Sequence, residues 1–138
     1  MNLTDNFTLE EMIHSDIADK NHIDNIPDES IIENLRQLCE NVLQPVREKL
    51  GEIITVSSGF RNTNVNLLAK GALNSQHVIG QAADLKCFSL GNKVLYDAIK
   101  ERDIFDQLIW EYGNDDAPQW VHVSYNPNGN RNQELRIK

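Results

Sequence analysis

His77, Asp84 and His122 are the residues of this chain with the plainest capacity for chemistry. Two neutral imidazoles and one carboxylate form the ligand set of a catalytic zinc, three protein donors with a fourth position left open for water. His77 and Asp84 stand seven positions apart, and His122 falls in the alternation Trp120, His122, Ser124 against Val121, Val123, Tyr125. Spacing alone does not single out a metal site, because His22 and Glu29 repeat the same interval. On residue types a second reading stands beside the first: His77 in a polar loop and Asp84 paired with a neighbouring lysine. Arg61 follows Gly59 at a strand end. Its planar fork can bind a carboxylate or stabilise the oxyanion formed when water attacks an amide, or it can simply be solvated. Trp120 could wall a cleft or pack at the start of a strand.

These side chains need elements to position them. Ile53 to Ser58 is short and β-branched and stops at Gly59, which predicts a strand, and Asn62 to Lys70 predicts a short helix with Gly71 beyond its end. Ala82 to Cys87 reads as a strand with Ala83, Leu85 and Cys87 on the apolar face and Asp84 on the other. Gly80 and Ala82, both small, are expected to let the backbone turn close to a metal before that strand. Asp106 to Tyr112 and Trp120 to Tyr125 predict a hairpin around the polar loop Gly113 to Gln119.

Helices supply the apolar cover. Thr8 with Glu11 is a capping-box pattern preceded by Phe7, predicting a helix from Thr8 to about Ser15, followed by loop from Asp16 to Pro27. Ile31, Ile32, Leu35, Leu38, Val42, Leu43, Val46 and Leu50 form one stripe on a long helix from about Asp28 to Leu50, with Gly51 near its end. Pro45 predicts a bend or division near Leu43. Ser89 is expected to cap a helix carrying Leu90, Val94, Leu95, Ala98 and Ile99. The tail, Asn126 to Lys138, is rich in Asn and Gly and receives no element. The order predicts an α+β fold, a mainly antiparallel sheet with flanking helices.

A chain of 138 residues, 40% hydrophobic and 25% charged, predicts one soluble domain over residues 1–138, expected as a monomer. Thirteen basic against twenty-one acidic residues leave a net charge of -8, which argues against nucleic acid or an anionic membrane as partner. No stretch is long and apolar enough to span a bilayer, and Met1 to Lys20 lacks the basic start and apolar run of a signal peptide, so synthesis is expected in the cytoplasm. Cys39 and Cys87 predict two buried free thiols rather than a thiolate metal site.

Three motifs change the weight of the first reading. S-Q-H-V-I-G-Q-A-A-D from Ser75 to Asp84, S-S-G-F-R from Ser57 to Arg61, and W-V-H-V-S-Y from Trp120 to Tyr125 closely resemble the zinc D-alanyl-D-alanine carboxypeptidase family, which includes phage endolysin peptidases. F-T-L-E-E at Phe7 to Glu11 and V-L-Q-P-V-R-E-K-L-G at Val42 to Gly51 are similar to its small single-domain branch in bacteria and prophages. The resemblance implies a hedgehog-like peptidase fold and Zn2+ held by His77, Asp84 and His122. It also implies an Arg61 that grips the peptide's carbonyl or carboxylate, with Ser75 and Trp120 at the substrate.

The implied activity is hydrolysis of a peptide bond in bacterial peptidoglycan, with the stem peptide as substrate. A carboxypeptidase or an endopeptidase would serve, reaching the wall after holin-type release or lysis. In many relatives an acid or His three positions before the last zinc ligand handles the proton, and here that position is Gln119, whose amide accepts no proton at neutral pH. Glu111 is expected to take this role, ahead of Asp115 and Asp116 in the hairpin loop. It shares a face with His122 only if it pairs opposite an even-numbered residue such as 120, 122 or 124. A zinc-containing domain that binds wall peptides without cutting them is the alternative that Gln119 favours.

Overall fold

The computed structural model describes Met1 to Lys138. Two short helices open the chain, α1 (Leu9–Ile13) and α2 (Asp16–Lys20), followed by α3 (Glu29–Leu38), a π-helical turn (Cys39–Leu43) and α4 (Gln44–Leu50). Then come β1 (Thr55–Ser58), α5 (Thr63–Leu68), a 3-10 turn (Gln76–Ile79), β2 (Ala82–Lys86), α6 (Asn92–Arg102), β3 (Gln107–Glu111), β4 (Trp120–Ser124) and β5 (Gln133–Ile137). The five strands form one sheet in the order β1-β2-β4-β3-β5, antiparallel except for β3 with β5. This is the expected α+β class.

Alternation along the strands separates a core face from a working face. Ala83 and Leu85 of β2, Val121 and Val123 of β4, and Leu108 of β3 join a core of 22 buried residues with Leu35, Leu38, Val42, Leu43 and Val46 of the long helix and Leu95 and Ile99 of α6. Asp84 pairs with His122, His122 with Ile109, and Glu111 with Trp120. Cross-strand partners share a face, so all of these lie on the side away from the helices. The core therefore sets the register that assembles the other face: a one-residue slip would expose every core side chain.

The helices depart from expectation at their ends. Thr8 and Glu11 make the full capping box, but α1 stops at Ile13 because Ser15 caps a second helix through the Ala18 amide, inside the stretch expected as loop. The division expected near Leu43 falls there, between the π turn and α4, beside Pro45. A π turn lies just before it, with the Gln44 amide reaching back to Cys39. The Asn41 carbonyl, which a proline four residues on cannot serve, accepts instead from Arg102 Nε at 2.7 Å. Ser89 is not a cap: Gly91 holds the N-cap position of α6 with no side chain to cap it, and Asn92 Oδ1 takes the Cys87 amide at 2.9 Å. The tail forms β5 against β3. Cys39 and Cys87 are both free and buried, and no helix is long and apolar enough to cross a membrane.

Candidate metal centre

Three short local structures bring the His and Asp side chains to one point. Ser75 caps the 3-10 turn through the His77 amide at 3.1 Å, which fixes where His77 leaves the backbone. β2 contributes Asp84 and β4 contributes His122, directly opposite each other. All three are buried. His77 Nε2 lies 3.4 Å and His122 Nδ1 3.1 Å from the same Asp84 oxygen, Oδ1, and the two rings meet edge to face at 5.1 Å. The lysine pairing considered for Asp84 does not occur; its cationic partner is Arg61, whose Nη2 donates to Oδ2 at 3.1 Å.

The donor set fits a small divalent cation on two counts. Ligand atoms about 2.0–2.1 Å from a tetrahedral zinc stand roughly 3.3–3.4 Å from one another, close to the two separations found here. The second count is the placement of protons. His77 Nδ1 lies 2.7 Å from the Gly59 carbonyl, which only accepts, so Nδ1 carries the proton of a neutral ring and Nε2 turns a lone pair toward Asp84 Oδ1. Two acceptors facing each other in a buried site need either a proton or a metal ion between them. Burial opposes ionisation of Asp84, but when the imidazoles carry an extra proton the His77 charge and the hydrogen bonds from both rings outweigh it and hold the carboxyl well below its usual range; a metal ion between the donors would supply that positive charge in the proton's place. An ionised, converging carboxylate is what a cation site requires.

Arg61 is tied into this arrangement. A bulge between Val56 and Ser58 sets Ser58 opposite Asp84, and Ser58 Oγ then accepts from Arg61 Nε at 3.0 Å. Asn66 Oδ1 takes Nη1 at 3.4 Å. The guanidinium therefore steadies the Asp84 oxygen that faces away from the imidazoles, while its remaining N–H groups border the cleft. Gly59 is glycine because a Cβ there would overlap the Met12 carbonyl oxygen, which accepts from the Phe60 amide. Gly80, at φ +75, is needed for a different reason from the one expected: its Cβ would come within 2.8 Å of Ile31 on α3, so it admits the core helix, not the metal.

Glu111 falls on the same face, opposite Trp120, with Oε1 4.0 Å from His122 Nδ1. Burial and the Asp84 charge raise its pKa against the pull of His122, the Trp120 side chain and Arg61. That moves the group toward the range useful to a general base. Gln119 is exposed and lies outside the cleft, while Asp115 pairs with Arg136 at the surface. The cleft, about 680 Å³, is bordered by Arg61, Ser75, His77, Asp84, Glu111, Trp120 and His122, which the sequence singled out. It is also bordered by Arg131 and Ile137 from the tail, which it did not. The alternation of Leu135 and Ile137 with Glu134 and Arg136 was the signal that could have revealed β5.

A family model described as Peptidase M15 matches residues 5–124, a span that includes all three donors of the centre. The chain belongs to the peptidase M15 family. A zinc D-Ala-D-Ala carboxypeptidase of Streptomyces albus G is 39% identical over 67 residues, covering 48% of this chain and 26% of that protein. The chain thus matches about a quarter of that relative's length. The peptidase M15 match ends at Ser124, so Arg131 and β5 lie outside it.

Proposed function

We propose that this chain is a zinc-dependent peptidase that hydrolyses a peptide bond in bacterial cell-wall peptidoglycan. The observation that carries the reading is the convergence of His77 Nε2, Asp84 Oδ1 and His122 Nδ1, with the Glu111 carboxylate on the same cleft face. Membership of the peptidase M15 family and the likeness to a zinc D-Ala-D-Ala carboxypeptidase support it. His77, Asp84 and His122 would hold the zinc. When bound, the ion supplies Lewis acidity and lowers the pKa of a water at its open position to roughly 7.

The chain's own groups do the rest. Glu111, half-buried, accepts the proton of the attacking water and returns it to the leaving amine. Arg61, already steadied by Ser58, Asn66 and Asp84, presents its remaining N–H groups to the carbonyl oxygen as negative charge develops there. Ser75 holds the His77 turn, and Trp120 walls the cleft beside Glu111. The substrate is a stem peptide, cut as a D,D-carboxypeptidase or an endopeptidase would cut it, in an endolysin-like role at the wall.

Peptidoglycan fragments incubated with zinc-loaded protein and followed by mass spectrometry test this reading. Loss of an amide bond is expected, with Glu111→Gln slowing it by about 10²–10⁴ while zinc content stays unchanged. Zinc-dependent binding of the fragments without cleavage would refute the peptidase reading and leave a peptide-binding domain.

A further inference from the structure

Arg131 is the one cleft residue whose guanidinium is both locked in place and largely open. Its side chain is 59% exposed, yet its Nε and Nη2 donate in parallel to the two oxygens of Asp106, each at 2.9 Å. Asp106 is itself buried, and its oxygens also take the Arg131 amide at 2.8 Å and Gln76 Nε2 at 3.0 Å. With four hydrogen bonds received, Asp106 has little left to offer a ligand. Arginine has five N–H donors, of which two are committed to Asp106, so three remain on the side away from it. Gln76 is next to His77 in the 3-10 turn, so the same carboxylate fastens the arginine to the turn that carries a metal-site residue.

The charges around the cleft are balanced in number: Arg61, Lys70 and Arg131 border it against Asp84 and Glu111, with Asp106 paired to Arg131. Arg61 is engaged by Asp84, whereas Arg131 combines a paired charge with N–H groups left over, and such groups favour an anionic partner by charge-assisted hydrogen bonding.

We propose that Arg131 is a specificity-determining residue that binds a carboxylate of the substrate remote from the scissile bond, so that the preferred substrate is a peptide bearing a second carboxylate. This rests on the peptidase reading above and adds a subsite to it. A guanidinium fixed in advance by a buried carboxylate loses little freedom on binding, and its planar fork matches a carboxylate where a lysine would not. Arg131 lies beyond residues 5–124, which the family model matches, in the segment that follows β4.

The test uses two synthetic peptides identical except that the remote carboxylate of one is a carboxamide in the other, with the zinc-loaded full chain. Wild-type protein is expected to favour the carboxylate peptide at least about tenfold in kcat/KM, the scale of a charge-assisted hydrogen-bonded pair. Arg131→Gln should lose at least about tenfold more on the carboxylate peptide than on the carboxamide, and Arg131→Lys should restore only part of that difference. If Arg131 merely latches β5, both peptides fall by the same factor, and the proposal fails. Should Arg131→Gln unfold, the double change Asp106→Asn with Arg131→Gln, which leaves no unpaired buried charge, replaces it. Affinities of the Glu111→Gln protein for the two peptides, measured by calorimetry, keep the subsite separate from catalysis. Equal affinities overturn the subsite even if cleavage is seen, whereas unequal affinities without wild-type cleavage support the subsite and overturn only the peptidase reading.

Discussion

Gly59→Ala should weaken zinc binding without touching a ligand. An added Cβ would overlap the Met12 carbonyl oxygen and come within 3.0 Å of its carbon, both backbone atoms of α1 that cannot swing aside like a side chain. Overpacking of this kind costs about 1–3 kcal/mol. At roughly 2.1 cal/mol/K of unfolding entropy per residue, that is a fall in Tm of about 3–10 °C for a chain of this size. The carbonyl of Gly59 is also the partner of His77 Nδ1 at 2.7 Å, so a shift of this segment loosens the ring whose Nε2 faces Asp84. Loss of such a supporting hydrogen bond lowers metal affinity about 10–100-fold. The two effects separate in melts run with and without zinc. The metal-free protein reports the steric cost, and the gain on adding zinc should be smaller in the variant by about 1.4–2.8 kcal/mol at equal free zinc. Competition against a chromophoric chelator gives the affinity directly. A variant with wild-type zinc affinity would refute the link from Gly59 to His77, and an unchanged metal-free Tm would refute the steric argument.

Replacing His77 or His122 by Ala should abolish stoichiometric zinc, measured by atomic emission on dialysed protein, because two remaining donors do not hold a tetrahedral site. Arg61→Lys should retain zinc and fold yet lose at least about tenfold in peptide hydrolysis, since an ammonium cannot span Ser58, Asn66 and Asp84 as the guanidinium does. Full turnover by the Lys variant would remove Arg61 from the reaction. Asp106 is held below its ordinary value of 3.8 chiefly by the Arg131 side chain, against the effect of burial. Its contribution is therefore complete above pH 3.8 and is lost as pH falls through the lower folded-state value. The stability gap between wild type and Asp106→Asn should accordingly be widest near neutrality and close in acid, as read from chemical denaturation at successive pH values.

What could be read without a fold was whatever depends on period and residue type. The stripe from Ile31 to Leu50, the capping box at Thr8, the alternation of Ala83 and Leu85 around Asp84, and that of Val121 and Val123 around His122 each reflect burial of one face, so they specify helix, strand and facing together. The motifs picked out residues that converge in one cleft, and Glu111's face followed once it paired with Trp120. Tertiary structure alone decided the rest, because it depends on partners distant in the chain. The bulge that turns Ser58 toward Arg61, the Gly59 carbonyl under His77, the Arg102 bond that satisfies the carbonyl stranded by Pro45, and the passage of Gly80 against α3 are contacts between segments 18 to 61 residues apart or local irregularities with no period. The tail shows the limit most clearly. Its strand is short and exposed, so the alternation of Leu135 and Ile137 with Glu134 and Arg136 is too brief to mark a strand by itself, and the free edge of β3 and the Asp106 carboxylate decide that Gln133–Ile137 becomes β5 and that Arg131 reaches the cleft.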